Sequence, residues 1–132
     1  MEYSGRDGTV LRLAIEPEAA GRARRAAVAL ATELGAAPEA RESIAVAVTE
    51  AVANVVVHAY RLGGDGMVEV ALRGDDDCLE VVVSDTGVGM RPRDDSPGLG
   101  LGLGLMAALA DQFEVTPGEA GGTDVRLGFR LR

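Results

Sequence analysis

The segment that most constrains the fold is residues 43–60, which read SIAVAVTEAVANVVVHAY. Its apolar residues recur every three or four positions, which is the periodicity of a helix with one buried face. These residues are Ile44, Val48, Ala51, Val52, Val55, Val56 and Ala59. Gly63 and Gly64 follow the segment, as is typical after a helix C-terminus. The pattern therefore predicts one long helix that is largely buried.

Three large polar residues interrupt this helix: Glu50, Asn54 and His58. Their spacing of four places them along one line of the helix surface. Burying a carboxylate beside an apolar face is costly, so this line needs a reason. It is either a solvent-facing edge with a structural hydrogen bond, or a catalytic or metal-binding edge of a pocket. Glu can act as a base and an Asn oxygen suits Mg²⁺, but the helix alone leaves both interpretations open.

Composition limits the class of protein. The chain of 132 residues predicts a single domain, residues 1–132. The net charge of −8 argues against a nucleic-acid-binding surface. We find neither a secretory signal pattern nor the roughly 18 uninterrupted apolar residues of a membrane span. We therefore expect a cytoplasmic protein that contacts neither nucleic acid nor membrane, and we expect the single cysteine, Cys78, to be an inert small hydrophobe.

The remaining periodicities define the order of elements. Alternation typical of strands occurs in residues 9–15, 67–73, 78–85, 113–117 and 123–131. Helical patterns occur in residues 17–34, 38–60 and about 101–112. In the first strand we expect Val10, and one of Leu11 and Leu13, to face inward. The order predicts an α+β fold, a two-layer sandwich whose mixed, mostly antiparallel sheet carries its helices on one face.

A short acidic motif follows the third predicted strand: Asp85-x-Gly87-x-Gly89. A carboxylate at the base of a pocket could accept a hydrogen bond from an adenine amino group, and glycines would let the backbone approach the base. The alternative is a tight turn with an Asx cap. The motif by itself does not separate the two.

Glycine and leucine alternate from Gly98 to Leu105 at the start of the last predicted helix. Each interior glycine costs a helix about 1 kcal/mol relative to alanine, so the run needs an explanation. Free N–H groups at such a helix start bind phosphate well, whereas close helix–sheet packing is the alternative. The run also matches the dinucleotide-binding pattern, but a long loop precedes it and too little chain follows for a parallel sheet.

Taken in order, these segments resemble a known superfamily. Glu50-x-x-x-Asn54, Asp85-x-Gly87-x-Gly89, the glycine-rich helix start and Gly122-Thr123 resemble the sequence boxes of the histidine-kinase-like ATPases, the Bergerat fold. The run TEAVANVVVHAY resembles the anti-sigma-factor serine kinases of bacterial partner-switching systems. The resemblance covers residues 22–131.

The resemblance implies a role for each motif residue. Glu50 would be the general base that activates a substrate serine, and Asn54 would ligate Mg²⁺. Asp85 would bind the adenine amino group with support from Thr123. The glycines would line the adenine pocket and open the phosphate-binding helix; they are Gly87, Gly89, Gly100 and Gly102.

Two further residues have less defined roles in this resemblance. Arg24 aligns with an arginine that contacts the γ-phosphate, although Arg22 and Arg25 are close by and a solvated helix face is the alternative. His58 would have a structural or pocket-edge role.

The implied protein is an ATP- and Mg²⁺-dependent serine kinase that binds a sigma factor and phosphorylates an anti-anti-sigma protein of the STAS type. A homodimer is also implied. Two departures keep alternatives open: residues 90–99 form a short lid without a Thr-Thr-Lys segment, and Gly104 stands where these kinases have a larger residue. The alternatives are an ATP-binding interaction module with little kinase activity, a switch kinase of the same systems, and a fold that has lost its nucleotide.

Overall fold

The computed structural model describes residues 6–61, 66–85, 99–118 and 122–132, with side chains for residues 8–58, 66–85, 104–118 and 122–132. The helices are α1 (Glu18–Glu33), α2 (Pro38–Arg61) and α3 (Leu99–Leu109). The strands are β1 (Arg6–Ala14), β2 (Met67–Gly74), β3 (Cys78–Asp85), β4 (Gln112–Pro117) and β5 (Thr123–Arg130). The predicted order and type of these elements are confirmed, with boundaries that differ by up to three residues.

The sheet has the strand order β1-β2-β3-β5-β4. Each pairing among the described strands is antiparallel, so the parallel component of the expected mixed sheet is not found there. The predicted hairpin of β2 and β3 is present, and the Asp75 carboxylate accepts hydrogen bonds from the backbone N–H groups of Asp77 and Cys78 at its turn. The α+β two-layer class is confirmed.

The helices cover one face of the sheet because apolar residues alternate along each central strand. In β3, for example, Leu79, Val81 and Val83 are fully buried while their neighbours are half-buried. Small residues on the buried side of α1 allow it to approach α2 closely; they are Ala19, Ala20, Ala23, Ala27 and Ala31. The helices and strands thereby share one hydrophobic core.

The opposite face of the sheet carries charged side chains. Arg12 pairs with Glu69 at 3.3 Å, and Arg126 pairs with Glu80 at 3.0 Å. The expectation that Val10 faces inward is wrong: its side chain is 54% exposed. Leu13 is buried and Leu11 is partly buried against the core. Because strand side chains alternate between faces, these two leucines share the inner face and Val10 must point outward.

The long helix α2 is central to the helix layer. It packs against α1 and α3 on its flanks and against β2, β3 and β5 beneath. Gly35, with a φ of +81°, ends α1 in the left-handed conformation, and Pro38 begins α2 three residues later. No helix among the described residues is long and apolar enough to cross a membrane.

Candidate active site

Three polar side chains are buried among the residues whose side chains the structure describes: Asn54, Asp85 and Thr123. Their exposed fractions are 8%, 6% and 6%. Burying an amide or a carboxylate is unfavourable unless partners compensate for the lost water. All three belong to the motifs found in the sequence, whereas the motif residue Glu50 is only half-buried.

Asp85 and Thr123 lie side by side at one end of the sheet. Asp85 is the last residue of β3 and lies on the same face as the buried residues Val81 and Val83. Thr123 begins β5, and the pairing of Ser84 with Asp124 places Thr123 beside Asp85. The Asp85 carboxylate is thus on the helix-facing side of the sheet, at the end of the paired strands β3 and β5.

The polar line of α2 lies on one continuous helix, as its spacing predicted. Glu50 and His58 are half-buried, and Asn54 between them is buried. The side-chain Nδ2 of Asn54 has no hydrogen-bond partner among the residues that the structure describes. An unsatisfied buried amide costs about 1–3 kcal/mol, so Asn54 is a group that a ligand would complete. Since the amide can turn by 180°, its oxygen as well as its nitrogen can meet that ligand.

The donor set fits ATP and Mg²⁺. A carboxamide oxygen is a ligand that Mg²⁺ accepts, and Mg²⁺ keeps further sites for phosphates and water. A carboxylate such as Asp85 can accept a hydrogen bond from an exocyclic amino group. Glu50, one turn before Asn54 on α2, is half-buried and therefore retains access to a reacting hydroxyl. We conclude that these residues are compatible with a nucleotide and a metal ion.

The helix α3 begins at Leu99, so Gly100 and Gly102 lie in its first turn. N–H groups of a first turn lack partners within the helix, and no acidic side chain lies in this turn. Met106 is fully buried and anchors α3 to the core. A Cβ added to Gly104 would meet no atom within 4 Å, so packing among the described residues does not require the glycine at that departure from the family pattern.

Other expected site residues are not placed in this group. Arg24 is exposed on α1, as are Arg22 and Arg25, because Ala23 and Ala27 occupy the buried side of the helix. The role of Arg24 stays a prediction. Gly87 and Gly89 lie outside the described residues, as does the predicted lid up to residue 98.

One neighbour of the site was missed by the sequence reasoning, which gave Gly122 no role of its own. Gly122 has a φ of +77°, and a Cβ placed on it would lie 2.9 Å from Oδ1 of Asp85. The run Gly121-Gly122-Thr123 was the only available signal, and glycine runs occur in many turns.

Comparison with known proteins identifies the family. Residues 13–129 match the family model described as the histidine kinase-like ATPase domain. The chain belongs to this family. The resemblance noted from the motifs is therefore confirmed.

Relatives within the histidine kinase-like ATPases carry consistent names. The chain is 32% identical over 115 residues to the serine-protein kinase RsbW of Bacillus licheniformis, covering 76% of this chain and 72% of that protein. It is 29% identical over 114 residues to the anti-sigma F factor of Clostridium beijerinckii, covering 78% of this chain and 80% of that protein.

A solved structure supports the same assignment. The RsbU and RsbW domains of a Mycobacterium tuberculosis protein superpose with a TM-score of 0.73 and 26% sequence identity. The match covers 96% of this chain but 33% of that longer chain, so this histidine kinase-like ATPase corresponds to one part of it.

Proposed function

We propose that this chain is an ATP- and Mg²⁺-dependent protein serine kinase that also acts as an anti-sigma factor. The observation that carries the proposal is the coincidence of the buried polar set with the motif residues: Asn54, Asp85 and Thr123 are both. The names of the relatives, serine-protein kinase RsbW and anti-sigma F factor, support both halves of the proposal.

The adenine end of ATP binds at the end of β3 and β5. Asp85 accepts a hydrogen bond from the adenine amino group, and Thr123, buried beside it, supports the carboxylate. Gly87 and Gly89 line the base in this proposal. A carboxylate accepts a hydrogen bond from an amino group but repels an acceptor at the same position, which gives adenine selectivity.

The phosphates lie between α2 and the first turn of α3, two helices that pack against each other. The backbone N–H groups around Gly100 and Gly102 donate to phosphate oxygens, and the helix dipole favours the anion. Asn54 provides its side-chain oxygen to Mg²⁺. The metal ion, when bound, neutralises charge on the phosphates during transfer.

Glu50 acts as the general base. Its carboxylate takes the proton of the substrate serine hydroxyl as the serine oxygen forms its bond to the γ-phosphorus and the bond to ADP breaks. Arg24 contacts the γ-phosphate in this proposal and stabilises the charge of the transferred group. Most of the catalysis is positioning and electrostatic stabilisation, which is typical of phosphoryl transfer.

The name anti-sigma F factor of one relative supports a sigma factor as a partner, and the other partners follow the resemblance of the motifs. The chain binds a sigma factor and phosphorylates an anti-anti-sigma protein of the STAS type, so that the phosphorylated antagonist no longer displaces sigma. It works as a homodimer in the cytoplasm. An ATP-binding module without kinase activity is the alternative that the following test separates, and a switch kinase acting on a different partner is the second alternative.

The test is a Glu50→Gln variant, assayed for ATP affinity by calorimetry and for phosphate transfer to STAS-domain proteins of the source organism. Removing the base should lower the rate of transfer by about 10²–10⁴-fold while ATP affinity stays near that of the wild type. Glu42→Gln is the matched control, because Glu42 is an exposed carboxylate on the same helix, and both quantities should be unchanged.

Two results would contradict the proposal. Wild-type protein that binds ATP and transfers no phosphate to any STAS-domain protein would favour the interaction module. A Glu50→Gln variant that retains its transfer rate would remove Glu50 from the base role.

A further inference from the structure

Gly122, which follows the β4–β5 turn and has no side chain, lies in close contact with Asp85. A Cβ built on Gly122 would lie 2.5 Å from the backbone oxygen of Asp85 and 2.9 Å from its carboxylate Oδ1. Real Cβ atoms do not approach other atoms this closely, and the backbone oxygen cannot rotate away as the tip of a side chain can. Any residue other than glycine would therefore require either Asp85 or residue 122 to shift.

The position of Gly122 is itself fixed by the turn. Its carbonyl oxygen accepts a hydrogen bond from the backbone N–H of Gly118 at 3.1 Å, and Thr123 next to it pairs with Pro117. Its φ of +77° is in the left-handed region that favours glycine. The pairing of β5 with β3 beside this contact, as Ser84 with Asp124, limits how far Gly122 can move away from Asp85, so we expect the displacement to fall on Asp85.

We propose that Gly122 is a positioning residue for adenine recognition. It acts through Asp85: by allowing the turn to abut both the backbone oxygen and the carboxylate, it fixes where the carboxylate meets the base. The inference rests on the proposed role of Asp85 in binding adenine. It predicts that the preference for adenine over a base lacking the 6-amino group depends on residue 122, although residue 122 itself does not contact the nucleotide.

The structure offers a matched control for backbone strain. Gly35 has a φ of +81°, nearly the same as Gly122, but a Cβ added there meets only Nη2 of Arg132, at 3.4 Å. Gly35→Ala therefore carries the left-handed strain without a contact to Asp85. The difference between Gly122→Ala and Gly35→Ala isolates the displacement of Asp85 from the general cost of a side chain at positive φ.

The experiment measures the affinities of ATP and ITP by calorimetry for the wild type, Gly122→Ala, Gly35→Ala and Asp85→Asn. ITP has a carbonyl where ATP has its amino group, so it does not offer the donor that Asp85 accepts. We expect Gly122→Ala to weaken ATP by about tenfold or more, as for a lost hydrogen bond to a charged group, and ITP by less than twofold. Gly35→Ala should change neither affinity, although both glycine variants melt at a lower temperature.

The ATP affinity of a double variant distinguishes a positioning role of Gly122 from a merely structural one. If Gly122 acts only through Asp85, adding Gly122→Ala to Asp85→Asn should cost no further ATP affinity. Should Gly122→Ala fail to fold, Gly122→Asn replaces it, because asparagine tolerates the left-handed conformation and still introduces a Cβ. Gly35→Asn is then its control.

The possible results test the positioning role of Gly122 separately from the adenine-binding role of Asp85. A Gly122→Ala variant that keeps the wild-type ratio of ATP to ITP affinity overturns the positioning role, and so does an equal loss for both nucleotides. If Asp85→Asn weakens ATP in the same series, the proposed adenine site still stands. If the wild type binds no ATP, or does not distinguish ATP from ITP, the proposed role of Asp85 fails and the role of Gly122 fails with it.

Discussion

The two ends of the sheet differ in where their polar groups lie. At one end the side chains of Asp85 and Thr123 are buried. In the helix layer, the buried Asn54 amide of α2 has an Nδ2 without a hydrogen-bond partner among the described residues. At the other end, the polar groups of the chain terminus are paired. The N–H of the fully buried Leu131 donates to the oxygen of Asp77, and the oxygen of Leu131 accepts from the N–H of Ala37.

Further contacts join the elements at this paired end. The Arg132 side chain donates to the backbone oxygen of Asp76 at 3.2 Å and to that of Leu34 at 3.5 Å. The Asp111 carboxylate accepts the N–H of Arg130 at 2.6 Å. Hydrogen bonds of Leu131 and Arg132 thus connect the α1–α2 connection to the β2–β3 turn. One end of the sheet thus joins distant segments through hydrogen bonds, while the other end buries polar side chains of the candidate site.

The largest effect on stability should come from the paired end. Leu131 is fully buried, so Leu131→Ala should lower the free energy of unfolding by about 2–5 kcal/mol through lost burial and a cavity. ATP affinity of the folded protein should not change, because the substitution is at the end of the sheet remote from Asp85. Urea unfolding and calorimetry measure the two quantities.

Leu105→Ala is the control for this variant, since Leu105 is 39% exposed and its truncation should cost far less. A marked loss of ATP affinity in Leu131→Ala, measured where the protein is fully folded, would show that the two ends are coupled and would break the comparison.

A smaller effect, of opposite sign, is expected at Asn54 on α2. Asn54→Leu replaces an unsatisfied buried amide by an apolar group of similar size, so the unfolding free energy without nucleotide should stay equal or rise by about 1 kcal/mol. The gain in ATP affinity that Mg²⁺ provides should be lost. Calorimetry with and without Mg²⁺ and urea unfolding test the two halves of this prediction.

Thr49→Val is the matched control on the same helix. The Thr49 hydroxyl is satisfied, because it donates to the oxygen of Ala45 at 2.6 Å. Its removal should lower stability by about 0.5–1.5 kcal/mol and leave the Mg²⁺ effect intact. If Asn54→Leu is instead the less stable of the two, the amide has a structural role.

The smallest effect concerns Cys78, at the paired end of β3. Burial raises the pKa of its thiol above the ordinary value of 9.0, and the negative charges of Asp75 and Asp77 add to this. The thiolate is therefore scarce near pH 8, and alkylation by iodoacetamide should be slower than in the urea-unfolded chain. Asp77→Asn should raise the rate at pH 8 by a few-fold at most.

The sign of the pH dependence follows from the raised pKa. The folded protein holds the thiol proton more tightly than the unfolded chain, so this group's contribution to stability is intact below pH 9 and is lost as the pH rises through the pKa of the folded state. Alkylation as fast as in the unfolded chain would contradict the expectation of an inert cysteine.

Several elements could be predicted from sequence because their signals are local. The bounds of β3 were predicted without error, because the apolar alternation is bounded in the sequence by polar residues and glycines on both sides. The expectation for Val10 was wrong because residues 10, 11 and 13 of β1 are all apolar, so alternation alone does not choose the inner face. Pairing of β1 with β2, as Leu11 with Val70 and Leu13 with Val68, settles it.

The candidate site divides in the same way. The residue types at Glu50, Asn54 and Asp85, and their order along the chain, were sufficient to indicate the family. Burial of Asn54 and Asp85 could not be read from the motifs, since the same residues suit a solvated edge or an Asx turn. Spacing does not decide which of Arg22, Arg24 and Arg25 contacts the γ-phosphate. Side chains at neighbouring positions of a helix point in different directions, and the direction of the phosphate is not known from sequence.

The sequence by itself determined the order of the elements and the chemistry available at each motif, because periodicity, turn residues and side-chain type act over a few residues. Only the tertiary structure decided that Gly122 abuts Asp85 across 37 positions of chain. It also decided that Leu131 joins two distant turns. Such contacts depend on strand register and on the packing of α2, which are set by the whole core and not by any one segment.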